Sequence, residues 1–317
     1  MDLLVNDLSL NGQFPDLGSF REAIRRVIAM RQVALRFGRA LHCHRNMAQA
    51  QVTPTLIMPQ AIQGFTLEER RVLILWLHQH GPFWEEARVH DPDDYLECNG
   101  DVVTDTAVGE AAFCCIHGID RRLVSLTPSE WDFSPVPVTC MPETYEGRIA
   151  NVVNHWNAGE LEAALRAAPP ALSSWGQVEQ ISLVRYPLLT FAEDAFEPLL
   201  GYPFLNGAAH RILILLDTLN KLKSCFDGHG ERTPEGHRLY QDHFTGDKAW
   251  FSDSSDSEKN DFRQKLTFRH PCSHQESLFC PMHGKEKSHQ LRIHFSWPIR
   301  ADQPLFVVYV GEKITKR

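Results

Sequence analysis

A change of hydrophobic period across a single polar run sets the terms on which this chain can fold. Before Ser252, apolar residues recur mainly at helical spacing, broken by short strand-like stretches; after Asp261 they alternate in segments of strand length. A period near 3.6 and a period of 2 present different surfaces for burial, so a chain that switches between them must build two kinds of packed layer. Between the two patterns lies SDSSDSEKND, Ser252 to Asp261, with no apolar residue. Such a run buries nothing and reads as a linker or mobile loop. The expected class is therefore α+β, a mixed α/β and helical N-terminal body with a small C-terminal β-rich domain. The expected parts are an α+β domain over 1–145, a mainly helical region over 146–251, the linker over 252–261, and a basic β-rich domain over 262–317.

Local signals fill in these parts. Val5 to Leu10 alternates like a first strand, and Ser19 stands before a helical pattern over 20–38. Thr66-Leu67-Glu68-Glu69 has the form of a capping box ahead of a second helix. A strand near Tyr95–Cys98 meets an Asn99-Gly100 turn, Asp105 reads as the cap of a helix over 106–117, and Leu123–Leu126 reads as a strand. Pro135, Pro137 and Pro142 interrupt the next stretch of chain. Asn157–Ala168 and 206–226 read as helices, and Thr233-Pro234-Glu235 as another helix start. Past the linker, Lys265–Arg269, Leu291–Trp297 and Leu305–Val310 read as strands.

Charge obeys the same division. Residues 262–317 hold ten Lys and Arg against four Asp and Glu, a balance of +6, which leaves −14 on the preceding residues. A basic part on an acidic body suits contact with nucleic acid, or masking of the basic part by the body; clustering on a solvated surface is the bland alternative. The start of the chain shows no cationic segment ahead of an apolar run, and the eight cysteines are scattered, which suits a reducing cytoplasmic setting without a membrane.

The alternation Arg292-Ile293-His294-Phe295-Ser296-Trp297 puts Arg292, His294 and Ser296 on one strand face, with the apolar residues on the other. With His270, His283, Lys285 and Tyr309 nearby in sequence, this face holds what a metal-independent ribonuclease requires. Histidines near neutral pKa take and return protons, and cations meet the charge that develops on phosphate. Five of the sixteen histidines lie in these 56 residues. A solvated polar sheet face is the alternative.

The ending Leu291-Arg292-Ile293-His294-Phe295, a loop, then Leu305-Phe306-Val307-Val308-Tyr309-Val310-Gly311, resembles the final hairpin of RelE/ParE-type bacterial toxins of the barnase-like group. That resemblance implies a compact α+β ribonuclease, with Arg292 and His294 on one strand and Tyr309 or Lys313 on the last. The sequence departs from the pattern by its Cys/His block and by the lack of a helix pair within the segment. The whole chain also looks like bacterial proteins of the kind encoded among phage-defence genes, which implies a protein partner in a multi-component system and RNA, more than DNA, as target.

Three other sets can be read as sites. Cys272, His274, Cys280 and His283 offer two thiols and two imidazoles within twelve residues, a set suited to zinc, in which His283 would be structural. His90, Asp91, Asp93, Asp94 and Glu97 are carboxylate-rich enough to suggest Mg²⁺, although a solvated loop accounts for them. His42-Cys43-His44-Arg45 lacks a second half, Trp76, Phe83 and Trp84 read as core, and Asn154–Asn157 reads as a helix entry. The expected activity is a toxin-like endoribonuclease without a cofactor. The competing reading is a non-catalytic subunit that binds nucleic acid or a partner, with or without zinc.

Overall fold

The computed structural model describes residues 1–92, 94–140 and 148–316, with the side chain of His274 left aside. The chain is α+β and divides into two compact units, Met1–Ala171 and Leu172–Arg317. The boundary expected near 145 lies outside the described residues.

In the first unit, β1 (Asp2–Val5) leads to α1 (Leu17–Arg36), β2 (Leu41–His42), α2 (Met58–Ile62) and α3 (Leu67–Ile74), which continues as π-helical turns through Leu75–His80. Then come β3 (Leu96–Cys98), β4 (Asp101–Val102), α4 (Ala107–Ile116), β5 (Arg121–Val124), β6 (Val136–Cys140), β7 (Arg148–Val152), β8 (Asn154–His155) and α5 (Ala158–Ala167). One sheet is parallel throughout, in the order β2-β1-β5-β8, and a second is antiparallel, in the order β4-β3-β6-β7.

Local chemistry explains where several of these elements begin and end. The first strand stops at Val5 because the backbone then turns through Asp7–Ser9, where the Ser9 hydroxyl donates to the Asn6 carbonyl (2.6 Å). A side chain competing for backbone partners ends the alternation that sequence alone reads on to Leu10. Asp16, and not Ser19, caps α1, accepting from the Ser19 amide at 2.8 Å. Thr66 and Glu69 form the capping box of α3, and Thr106, not Asp105, caps α4. Asn99 and Gly100 both have positive φ (54° and 91°), the two-residue turn that joins β3 to β4. Pro137 does not prevent a strand: β6 runs through it, opposite Asn151. A buried core that includes Phe14, Phe20, Ile24, Trp76 and Phe83 packs between the parallel sheet and its helices, as expected for Trp76 and Phe83.

The second unit runs α6 (Trp175–Arg185), β9 (Leu189–Phe191), α7 (Glu197–Leu200), α8 (Asn206–Ser224), α9 (Pro234–Phe244), β10 (Phe251–Ser252) and α10 (Asp256–Asp261). Five strands complete it: β11 (Thr267–His270), β12 (Ser273–Phe279), β13 (His283–Glu286), β14 (Leu291–Phe295) and β15 (Leu305–Glu312). The main sheet has the order β10-β13-β14-β15-β9, in which β15 and β9 are parallel, and β11–β12 is a separate hairpin. Residues 262–317 are thus part of a unit that begins at Leu172, because β9 and β10 supply both edges of its sheet.

The polar run 252–261 is also structured. Ser255 and Glu258 form a capping box at the start of α10, so a run with no apolar residue still nucleates a helix turn. Thr233 caps α9 with Pro234 at its first position, as the sequence predicts. The largely buried helix α8 packs its Ile212, Leu215, Leu216 and Leu219 against Phe251, Ile293, Phe295 and Val310. Lys223 near its end donates to the carbonyls of Arg300, Ala301 and Gln303 at 2.5, 2.9 and 2.7 Å, tying down the loop before β15.

Candidate functional site

Register decides what the C-terminal sheet presents. Antiparallel partners share a face, and β13, β14 and β15 pair His283 with His294 and His294 with Tyr309; one step along, Lys285 pairs with Arg292 and Arg292 with Gly311. Five of the six expected catalytic residues therefore stand in two adjacent rows on one face. The imidazole centroids of His283 and His294 are 5.3 Å apart, and the His294 and Tyr309 rings are 5.7 Å apart. The sixth, His270, lies on the β11–β12 hairpin, where its ring meets Phe306 edge-on at 4.8 Å.

This face is not open to solvent as its polarity suggests. His294 is 2% exposed, His283 and Arg292 8% each. Phe268 of the hairpin lies 5.7 Å from His294 and 5.9 Å from Tyr309, and packs with Leu278 against Cys280, Phe306 and Val308. Both faces of β14 are buried, one against α8 and the other beneath the hairpin. Alternation distinguishes two faces but does not say whether the polar one is covered.

Burial sets the chemistry of the groups. His294 Nδ1 donates to the Cys280 carbonyl (2.9 Å) and His283 Nδ1 to the Pro281 carbonyl (3.1 Å). Desolvation, with the neighbouring His283, lowers His294 to about 3, and desolvation lowers His283 to about 4. Both rings are neutral at pH 7. Tyr309 is pushed up to about 12 by burial and donates its hydroxyl to the Glu312 carbonyl at 2.8 Å. Arg292 donates to the backbone carbonyls of Glu286 (3.1 Å) and Leu291 (2.8 Å), and desolvation lowers both it and Lys285. Lys313 pairs at 3.0 Å with Glu258 of α10, which also accepts from Thr315 at 2.8 Å. These contacts bring α10 to the cationic end of the face.

The zinc set does not converge among the described residues, where no three His, Cys, Asp or Glu side chains gather to hold a metal. Cys272 is exposed in the turn between β11 and β12, Cys280 is buried with its thiol pushed up to about 12, and the side chain of His274 lies outside the described residues. The Mg²⁺ set disperses as well. His90 turns inward at 3% exposure and bonds Glu110, which also pairs with Arg121 and accepts from the Val89 and His90 amides. Asp94 accepts from the Asp91 amide at 2.8 Å, Glu97 lies on β3, and Asp93 is outside the described residues. Of His42–Arg45, Cys43 is buried and the His44 ring lies 5.3 Å from that of Trp84, tilted by 52°. Asn154 and His155 form β8, and only Asn157 acts as a helix cap.

The outer surface of the hairpin region carries a second pattern, one of rings and cations. Arg263 lies over the Phe279 ring at 4.7 Å and Lys265 over the Phe262 ring at 5.3 Å, both cations exposed. Arg269 is exposed on β11. The signal in the sequence is the interleaving of ring and cation in Phe262-Arg263-Gln264-Lys265-Leu266-Thr267-Phe268-Arg269. No protein-family profile, curated protein or solved structure matches this chain.

Proposed function

We propose that the second unit binds single-stranded nucleic acid, RNA foremost, across the outer surface of its hairpin region. The observation that carries this reading is the pairing of two exposed cations with half-buried rings, Arg263 with Phe279 and Lys265 with Phe262. Cations that track a phosphate backbone, set beside rings on which bases stack, are what sequence-tolerant single-strand binding uses. Residues 262–317 add a local balance of +6 at this surface, within a second unit that holds eighteen Lys and Arg against eighteen Asp and Glu. The non-catalytic reading ranks first because the histidines beneath are neutral and covered, so no phosphodiester reaches them in this conformation.

Cleavage is the second reading, favoured by the row His283–His294–Tyr309 beside Lys285 and Arg292. It requires the hairpin and α10 to move off the sheet, which would return both imidazoles toward their ordinary pKa.

One experiment separates the readings. Full-length protein is incubated with labelled single-stranded RNA, with and without EDTA, across a salt series. Binding through about four phosphate contacts gives a slope of log affinity against log salt near −2.8, or about fiftyfold weaker binding on a fourfold rise in salt. Replacing Arg263 and Lys265 by Ala should flatten that slope. Cleavage that persists in EDTA and disappears in His294→Ala would favour the second reading; neither binding nor cleavage would sink both.

A further inference from the structure

The parallel sheet of the first unit carries a built small-molecule cleft that the nucleic-acid reading does not use. In this sheet the chain passes from β1 to β2 on one side, while β5 lies on the other side of β1. The loops leaving the carboxyl ends of β1 and β5 therefore diverge, and open α/β sheets bind ligands in the crevice that forms there. A cleft of about 400 Å³ occupies that position. The loop after β1 contributes Asp7 and Asn11, the loop after β5 contributes Glu130, Trp131 and Phe133, and the β3–β4 hairpin adds Asp101.

A buried chain of hydrogen bonds positions the aromatic wall. Asn6 donates to the Ser125 hydroxyl (3.0 Å), which donates to Asn154 Oδ1 (2.9 Å). Asn154 Nδ2 in turn donates to the carbonyls of Trp131 (2.7 Å) and Phe133 (3.2 Å). All three side chains are buried, at 0–3% exposure, and they tie the ends of β1, β5 and β8 to the loop that bears the rings. Trp131 and Phe133 are held nearly parallel, 6.2 Å apart with 15° between their planes, though each is only half-buried. A binding site needs its contact residues held by such a supporting network, and here the network lies directly behind part-exposed aromatics.

The walls select the ligand. Asp7, Asp101 and Glu130 supply acceptors for hydrogen-bond donors and repel anions. The amino end of α4 is already occupied, since the Ala107 amide donates to Asp7 at 2.8 Å. A phosphate thus meets like charge from three carboxylates here and no free amide at the Ala107 position. Burial raises the Asp7 carboxyl, so a donor brought to it restores hydrogen bonding lost with water. The geometry points to a site for a flat heteroaromatic that carries an amino group and no phosphate, a nucleoside of the adenosine or cytidine type. The rings stack on its base, and the carboxylates accept from its amino and hydroxyl groups.

The test is calorimetric titration of the full chain with adenosine and cytidine, set against inosine, uridine and adenosine monophosphate. Saturable binding of at least one amino-bearing nucleoside is expected, with inosine or uridine and the monophosphate at least about tenfold weaker. Asp7→Asn, which keeps an acceptor for the Ala107 amide, and Trp131→Ala should each weaken binding by about tenfold or more, with circular dichroism reporting an intact fold. If Asp7→Asn unfolds, the exposed Glu130→Gln takes its place. No saturation by either amino-bearing nucleoside, a monophosphate that binds as tightly as its nucleoside, or undiminished binding in Trp131→Ala overturns the proposal. The outcome is independent of RNA binding by the second unit, because every residue named for this cleft belongs to the first.

Discussion

Acidification should unfold the second unit well above the pH at which its carboxylates protonate. His243, His283 and His294 are held at about 3, about 4 and about 3, all by desolvation, against an ordinary value of 6.5. Above pH 6.5 each is neutral in both states and contributes nothing to pH dependence. As pH falls below 6.5 the unfolded chain takes up protons that the folded unit refuses, and stability drops until the folded values are reached. At pH 5 each histidine lies about 1.5 units below its unfolded pKa, which costs about 2 kcal/mol. The three together cost on the order of 6 kcal/mol, comparable to the whole stability of many domains. Glu258, whose carboxyl is lowered to about 2, pulls the same way only below about pH 4.5 and so leaves this window to the histidines. Urea unfolding at pH 7.5, 6.0 and 5.0, combined with hydrogen exchange on peptides from 283–295, measures the loss locally. His294→Gln should lower the overall stability and remove about one third of the pH slope. A stability that is flat between pH 7.5 and 5, or a slope unchanged in His294→Gln, would refute the assignment of buried neutral imidazoles.

Three other contacts give expected outcomes of their own. Glu110→Gln should destabilise the first unit by about 3–5 kcal/mol, because Arg121 would be left buried without its main counter-charge, and a lowered urea midpoint checks this. Thr66→Ala removes one half of the α3 capping box and should cost about 1 kcal/mol, read as a small fall in melting temperature. Lys223→Met takes away the donor shared by three carbonyls before β15. Faster hydrogen exchange at 300–304 with little change in the core of α8 is the expected signature.

The elements that could be read in advance are those whose cause is local. The capping box at Thr66 and the Thr233-Pro234 helix start depend on residues three or four positions apart, and they appear in the fold as the sequence predicts. The alternation of Leu291–Phe295 likewise foretells which residues share a face, and the register supplies their cross-strand partners. Legibility ends where a distant segment decides the environment. Nothing near Arg292 or His294 announces that Phe268 and Leu278 will cover that face. The Cys/His block conceals β12 and β13, because residues of ligand type occupy positions that in fact have strand-length spacing. The polar composition of 252–261 masks a cap of the same hydroxyl-then-Glu form as that of α3, with Ser255 where α3 has Thr66. The cleft of the first unit is invisible for a related reason: Asp7, Asp101 and Trp131 are separated by long stretches of chain and converge only when β5 takes its place beside β1.

The position of β15 has a consequence for how the second unit comes into being. Its neighbours in the sheet are β14 and β9, so the strand at Leu305–Glu312 separates one that begins at Leu291 from one that begins at Leu189. Of the five strands, the last to leave the ribosome is an interior one. Until it arrives, β9 has no partner in this sheet and β14 shows an unpaired edge, and closing the parallel pair spans more than about a hundred residues of chain. The second unit should therefore fold late and slowly for its size. A nascent chain halted before Leu305 would display two open strand edges, the state in which sheet proteins aggregate or are taken up by chaperones.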